Sequence, residues 1–490
     1  MEERVIFRNI SPIDHRYSIS EHQLYEDMVP WLSEEASIAA CVKAEIALVT
    51  AHLKVRGKLS GELKAGLEGL AGRVDPAEVY AEEEKTRHNI RALVNVIKRK
   101  APAEAAPLVH LGATSVDILD TGLSWRMKGF TRNVALPLLR KLELLLCAFA
   151  EREAETPQVG RTHGQHAVPV TLGFAMAEYV SRLGKSILEI ERLAGRLKGK
   201  LAGAVGAYNA TAMIVKDPEE LERVYLAELG LEASEHSTQL VEPEYLLRLL
   251  LEFNVAFGII ANLADDLRNL QRSEIGEVRE GFAEDQVGSS TMPQKRNPWN
   301  SEHVKSLWKA FSPRIVSFFM DQISEHQRDL SNSASQRFIA DYAAGFCLAV
   351  SRMAAVVEGL GADRDRLLAN LRGGKGAASG IPGGILAEPA YILLAESGVS
   401  DAHEVIRKIT LKAERQQLSF ADALAGEAET LARIAAKMTE LGLIDGADKA
   451  LSFFERPELY RGLAVKKARE LAAKYRKLME DRKAEGPGGT

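Results

Sequence analysis

The chemistry available to this chain is concentrated in a few short stretches. Between Gly288 and Glu302 the chain reads Gly-Ser-Ser-Thr-Met-Pro-Gln-Lys-Arg-Asn-Pro-Trp-Asn-Ser-Glu, placing the hydroxyls of Ser289 and Ser290 near one ammonium (Lys295), one guanidinium (Arg296) and one amide (Asn297). Pro293 and Pro298 interrupt any regular ladder, so the stretch reads as a loop. Such a loop suits an anionic ligand and sets a hydroxyl against it, although a plain solvated loop has the same composition.

Four further islands carry reactive or anion-binding side chains. They are Ser11-Pro-Ile-Asp-His-Arg-Tyr17, Lys85-Thr-Arg-His-Asn89, His110-Leu-Gly-Ala-Thr-Ser-Val-Asp117 and Gly160-Arg-Thr-His-Gly-Gln-His-Ala-Val-Pro169. A polar run from His326 to Arg337 adds Arg328, Ser333 and Arg337. Thr114, Ser115 and Asp117 are also good helix caps, so capping and ligand binding both remain open there.

His163 and His166 stand three residues apart, but no His-Glu-x-x-His or carboxylate triad accompanies them, and a metal is not expected. No dinucleotide fingerprint appears, and the Gly-rich run Gly373 to Gly384 lacks the Gly-Lys-Ser/Thr ending of a phosphate-binding loop. What remains is a proton-transfer set of histidines, serines and Lys295, with Arg16, Arg87, Arg296, Arg328 and Arg337 to hold negative charge. That set suits acid/base work without a cofactor on a polyanionic small molecule.

The elements that must position these groups read as helices. Apolar residues recur at helical spacing from Ser33 to Leu59, Val79 to Ala101, Ile118 to Glu153, Thr171 to Gly199, Tyr245 to Gln271 and Ser301 to Gln327, and strand-like alternation is nearly absent. The expected fold is all-α: an N-terminal helical domain (1–106), a central bundle of long helices carrying the loop (107–360) and a C-terminal helical domain (361–490). Pro102 and Pro107 mark the first boundary. The basic stretch Lys466 to Lys477 reads as a solvated helix face, and the last residues as a frayed tail.

At 490 residues and a net charge of -5 the chain can bury a large core, and nucleic acid is not an expected partner. Three cysteines, Cys41, Cys147 and Cys347, sit in apolar helical contexts and read as core thiols of a reducing compartment. Neither a signal segment nor a membrane span is expected, which points to the cytoplasm.

Taken together, these islands resemble a known group of enzymes. Gly288 to Pro298 is similar to the signature loop of the fumarase/aspartase superfamily, whose members cleave a C–N or C–O bond and release fumarate or a relative. The other islands resemble the adenylosuccinate lyase family, over residues 11 to 400. Two positions depart from the pattern: Gln294 stands where many members have His or Tyr, and Asn89 replaces a common Asp. The related argininosuccinate lyases differ at Ala113 to Asp117 and at Arg296.

The resemblance implies β-elimination of fumarate from adenylosuccinate and from the succinylated imidazole carboxamide intermediate of purine synthesis. It implies Ser289 as the general base, with Ser290 as the alternative, and Lys295 to lower the base's pKa and stabilise the carbanion. His163 would protonate the leaving nitrogen, assisted by His88 and oriented by Glu302. Arg16, Tyr17, Arg87, Arg328, Ser333 and Arg337 would hold the phosphate or ribose; Thr114, Ser115, Asp117, Thr162 and Asn297 would hold the succinyl part, with Gln239 also touching substrate. The resemblance further implies a homotetramer whose sites are shared by three chains. A crystallin-like homologue that kept the fold without the chemistry is the non-enzyme alternative.

Overall fold

The computed structural model describes residues 6–281, 291–292, 294–373 and 381–484. In the N-terminal part, α1 (Glu34–Val55) starts at Ser33, whose hydroxyl accepts from the Ala36 N–H at 3.0 Å. Its alanine-rich, apolar surface packs into a core with α3 (Asn89–Lys100), and residues 201–231 fold back onto the same core.

The helix expected from Val79 to Ala101 is two helices, α2 (Pro76–Thr86) and α3. Arg87 adopts a left-handed conformation (φ 54°) that ends α2, and His88 then caps α3. Charge gradients along the segment could not reveal that break, because a single residue in the left-handed region is enough to cause it.

A long rod follows. α4 (Ser115–Phe130) runs into α5 (Leu136–Arg152) through a single π turn, Thr131–Ala135. Pro137 lies at the start of α5, where its missing N–H and bulky ring preclude a regular α turn; the wider π turn accommodates it without breaking the rod.

After the rod, the stretch Gly160–Pro169 interrupts the helical run as its Gly and Pro suggest, and it does so as an antiparallel hairpin, β1 (Pro157–Thr162) and β2 (Gln165–Thr171). Thr171 then caps α6 (Leu172–Gly195), accepting from the Phe174 N–H at 3.1 Å.

The central core unites α5, α6, α7 (Glu244–Leu270), α8 (Trp299–Phe311), α9 (Ile339–Glu358) and α10 (Ala464–Ala484). Phe253 stacks on Phe346 at 5.1 Å and meets Phe130 edge-on at 6.4 Å, tying the rod to α7 and α9. α8 is shorter than its expected reach to Gln327: Pro313 follows it and starts a tighter turn. A separate core is built from Ile381 to Phe454. α10 leaves that C-terminal region and lies on α5 and α6, where Gly184 gives it room: a Cβ there would stand 2.3 Å from the Tyr475 ring.

Contrary to the sequence expectation, three helical stretches, His22–Val55, Glu244–Leu270 and Ser335–Glu358, are long and apolar enough to cross a membrane. Within them 78%, 56% and 72% of the apolar window is buried inside the chain, so most of that apolar surface already has protein against it.

Candidate active site

The turn before α4 is built around a buried ion pair. Asp117 and Lys200 are both 0% exposed, and the Lys200 ammonium donates to Asp117 Oδ1 and, at 3.2 Å, to the Gly203 carbonyl. Asp117 Oδ2 accepts from the Thr114 N–H at 2.7 Å, closing a capping box at the head of the rod. Asp117 therefore positions the turn and is sealed from solvent; the substrate contact expected of it is not available in this chain. Thr114 and Ser115 are half-buried at the turn's surface.

His110, four residues before this pair of hydroxyls begins, is held in a left-handed backbone conformation (φ 61°). Its Nδ1 lies 2.7 Å from Glu45 Oε1, and its N–H donates to Glu45 Oε2 at 2.9 Å. A histidine oriented by a wholly buried carboxylate beside Thr114 is a site feature that the sequence reading left unassigned. Its only local signal is its place at the head of the Gly/Thr/Ser turn.

The same end of the molecule gathers Gln239 and Arg328. The Gln239 N–H donates to the Gln327 carbonyl at 3.1 Å, and Arg328 donates to Asn332. Burial disfavours the Arg328 charge, which Asp120, Asp329 and Asp321 offset. Asp120 accepts from the Val241 N–H at 3.1 Å, and burial pushes its carboxyl up to about 6. Asp120 and Asp321 line one cavity with Glu242, Asn332 and Gln336. Ser333 and Arg337 are exposed on the same segment.

His163 occupies the hairpin tip. His163 (φ 54°) and Gly164 (φ 73°) are the two loop residues between the paired Thr162 and Gln165, and two successive positive φ values make this a type I′ turn. His163 and Thr162 are exposed. The base of the hairpin is fixed by Glu277, wholly buried, which accepts from Arg161 (2.5 and 3.0 Å), Gln158 (2.8 Å) and Asn370 (2.9 Å). Burial, then the Arg161 charge, hold His166 below the ordinary histidine range. Among the described residues no hydrogen bond or ion pair joins His163 to Glu302, which is exposed on the first turn of α8.

His88 has a defined proton position. Its Nδ1 accepts from the Arg91 N–H at 3.2 Å, so the neutral ring carries its proton on Nε2 and presents that group as a donor. His88 and Arg87 are exposed.

Ser289 and Ser290 lie outside the described residues. Lys295 is exposed, and its N–H donates to the Met292 carbonyl at 3.0 Å; Asn297 is half-buried. The segment ends in a polar network that no local pattern announces. Glu280 accepts from Asn300 and Ser301 at the start of α8, Asn300 accepts from Arg352 on α9 at 3.0 Å, and Arg352 pairs with Glu21 at 3.1 Å. Arg352 also stacks over Trp299, 5.1 Å from the ring centre. The Tyr17 hydroxyl lies 3.1 Å from His303 Nε2, so the N-terminal arm with Arg16 reaches α8. Burial, then Arg352 and Arg16, hold His303 below the ordinary range.

The expected residues thus fall into separate groups. Thr114, Ser115, Gln239 and Arg328 collect near the N-terminal end of α7, where Val241 bonds Asp120. The hairpin shares a cavity with Asp266, Asn269 and Arg272 at the opposite end of α7. With 27 residues at about 1.5 Å each, α7 separates the two groups by roughly 40 Å.

A long-helix bundle with acid/base and anion-binding islands at its breaks is the build of the fumarase/aspartase superfamily of lyases. Two solved structures share the fold: 3-carboxy-cis,cis-muconate lactonizing enzyme from Pseudomonas putida (TM-score 0.76, 24% identity, covering 92% of this chain and 97% of that one) and fumarate lyase from Mesorhizobium sp. BNC1 (TM-score 0.75, 22%, 91% and 97%). Residues 11–309 match the family model described as lyase, and residues 324–443 the one described as adenylosuccinate lyase C-terminal. Adenylosuccinate lyase of Pyrococcus horikoshii is 32% identical over 97% of this chain and 99% of its own length, and that of Pyrococcus abyssi 33% over 83% and 88%. The chain belongs to the adenylosuccinate lyase family and is a lyase.

Proposed function

We propose that this lyase eliminates fumarate from adenylosuccinate, giving AMP, and from the succinylated imidazole carboxamide ribotide of purine synthesis. The observation that carries this reading is end-to-end similarity to adenylosuccinate lyases, with both matched regions present. Ser289 removes the proton beta to the departing nitrogen; the electron pair left on carbon forms the C=C bond of fumarate as the C–N bond breaks, and His163 delivers a proton to the leaving nitrogen. Lys295 and Asn297 stabilise the charge that builds on the succinyl carboxylate. His88, with its Nε2–H available, donates to the substrate. Arg16, Tyr17, Arg328 and Arg337 hold the nucleotide end.

The active unit in this proposal is a homotetramer with composite sites. Two features support it. The gap of roughly 40 Å between His163 and the Thr114 turn is far more than one small substrate spans, so these groups meet on one substrate only when supplied by different chains. Val316, Phe319, Met320, Ile323 and Leu330 are also exposed together around Ile315–Met320, an apolar patch that suits burial between chains. A cytoplasmic location belongs to the same proposal and is supported by three buried, free cysteines.

Incubating purified protein with adenylosuccinate and quantifying AMP and fumarate tests the reading. Turnover that falls at least a hundredfold in Ser289→Ala is the expected result. No turnover by the unmodified protein, together with cleavage of argininosuccinate, overturns it. Sedimentation analysis checks the tetramer.

A further inference from the structure

We infer that Glu280 is a positioning residue for the elimination site, clamping together the two ends of the segment that carries Lys295 and Asn297. The inference rests on the proposed role of that segment in catalysis. One Glu280 oxygen accepts from the Asn300 N–H at 3.2 Å and from its side-chain amide at 3.1 Å; the other accepts from the Ser301 N–H at 2.9 Å and the Ser301 hydroxyl at 2.5 Å. The carboxylate thus receives four hydrogen bonds from two consecutive residues, 20 and 21 positions along the chain.

The location explains the need for such a clamp. Asn300 and Ser301 lie in the first turn of α8, where backbone N–H groups lack helical partners, and the residue just before the helix, Pro298, offers no side chain to cap them. A carboxylate supplied from before the segment satisfies those N–H groups and meets the positive end of the helix dipole. It also fixes where α8 begins relative to residue 280. Lys295 and Asn297 are within five residues of the clamped turn, so their reach toward substrate is set by where that turn is held.

The clamp is braced on its far side. Asn300 uses its amide nitrogen on Glu280 and its carbonyl on Arg352, and Arg352 is in turn held by Glu21, whose other oxygen accepts from Ser351 at 3.2 Å. Glu280, Asn300, Arg352 and Glu21 form one chain of charge-assisted hydrogen bonds linking the segment to α9 and to the N-terminal arm. A cap alone would need only one of these contacts, whereas the series couples the segment to Tyr17 and Arg16 of the arm.

The test uses the full-length protein as it assembles, with Glu280→Gln, Glu280→Ala and Asn300→Ala. Two readouts are taken: rates with adenylosuccinate, including substrate deuterated at the abstracted position, and the rate of tryptic cleavage at Lys295 and Arg296. In Glu280→Ala, kcat is expected to fall at least tenfold with KM changed less than threefold, the deuterium isotope effect on kcat to rise, and cleavage at Lys295 and Arg296 to speed up at least tenfold. Glu280→Gln, which keeps one acceptor oxygen, and Asn300→Ala should lie between it and the parent. A melting temperature lowered in step with kcat, or a parental kcat and cleavage rate, would overturn the inference. If the parent protein does not turn over adenylosuccinate, the proposed function fails instead, and the cleavage rates alone still decide whether Glu280 holds the segment.

Discussion

Replacing Lys200 by methionine would remove the ammonium from an ion pair in which both partners are completely out of contact with water. Methionine matches the stem in length and apolar character, so packing is kept and the change isolates the charge. Asp117 would be left as a buried carboxylate without its counter-ion. Breaking a buried pair in this way costs about 3–5 kcal/mol. Asp117 keeps two backbone donors, the Thr114 N–H at 2.7 Å and the Gly203 N–H at 3.3 Å, which place the expected loss near the lower end, about 3 kcal/mol. That is a shift of roughly a hundredfold in the folding equilibrium. Urea unfolding followed by far-UV circular dichroism, at one fixed chain concentration because association contributes to stability, measures it. Asp117→Asn in the same background should recover part of the loss, since the uncompensated charge disappears, and the two changes should be clearly non-additive. Since Asp117 also holds the Thr114 turn, KM for substrate should rise in Lys200→Met. A Lys200→Met protein within about 1 kcal/mol of the parent, or simple additivity with Asp117→Asn, would refute the reasoning.

Three more outcomes are expected. Burial raises Asp120 from 3.8 to about 6, so between these values the folded chain holds a proton that the unfolded chain has released; its contribution to stability is complete below about pH 4 and is lost as pH rises through about 6, and Asp120→Asn should flatten that decline in unfolding titrations at stepped pH. Gly160→Ala would set a Cβ 2.7 Å from the Val168 carbonyl across the hairpin, and the strands cannot part without shifting His163, so turnover should drop at least tenfold while far-UV dichroism stays parental. His88→Asn keeps a side-chain acceptor at the start of α3 and removes the imidazole; thermal stability should change by less than about 1 kcal/mol while kcat falls, whereas loss of stability with full activity would make His88 a cap only.

Most of the helical architecture was legible because it depends on local repetition: the apolar period from Ile118 to Glu153 and from Tyr245 to Gln271 appears as the rod and α7 almost residue for residue. Departures came where one residue overrides a pattern. Arg87 and His163 take left-handed conformations that their residue types do not advertise, the first splitting a helix and the second making a hairpin turn in the break between two helical runs. In the site, the motif residues were visible because their types are unusual at close spacing. Lys200, Glu45 and Glu280 were not, since each acts on a partner 65 or more residues away or across the motif itself, and a lone Lys or Glu within a helical sequence looks the same whether it ends up at the surface or in the core. Asp117 shows the converse: a position inside a recognisable motif can be wholly taken up in building the turn.

The return of α10 onto the rod has a consequence for how the protein is made. Arg476 pairs with Glu151, and Arg482 with Glu191, contacts that span 325 and 291 residues of chain. The groove between α5 and α6 therefore stays open until α10 has been synthesised, and throughout that interval Glu143, a carboxyl whose two oxygens have no hydrogen-bond partner among the described residues once buried, still faces water. Synthesis thus imposes an order: the N-terminal core, complete by residue 231, can form early, whereas the bundle is sealed last and from its far end. A nascent chain stalled before Ala464 would hold the bundle with an uncovered apolar seam, the kind of intermediate on which chaperones act.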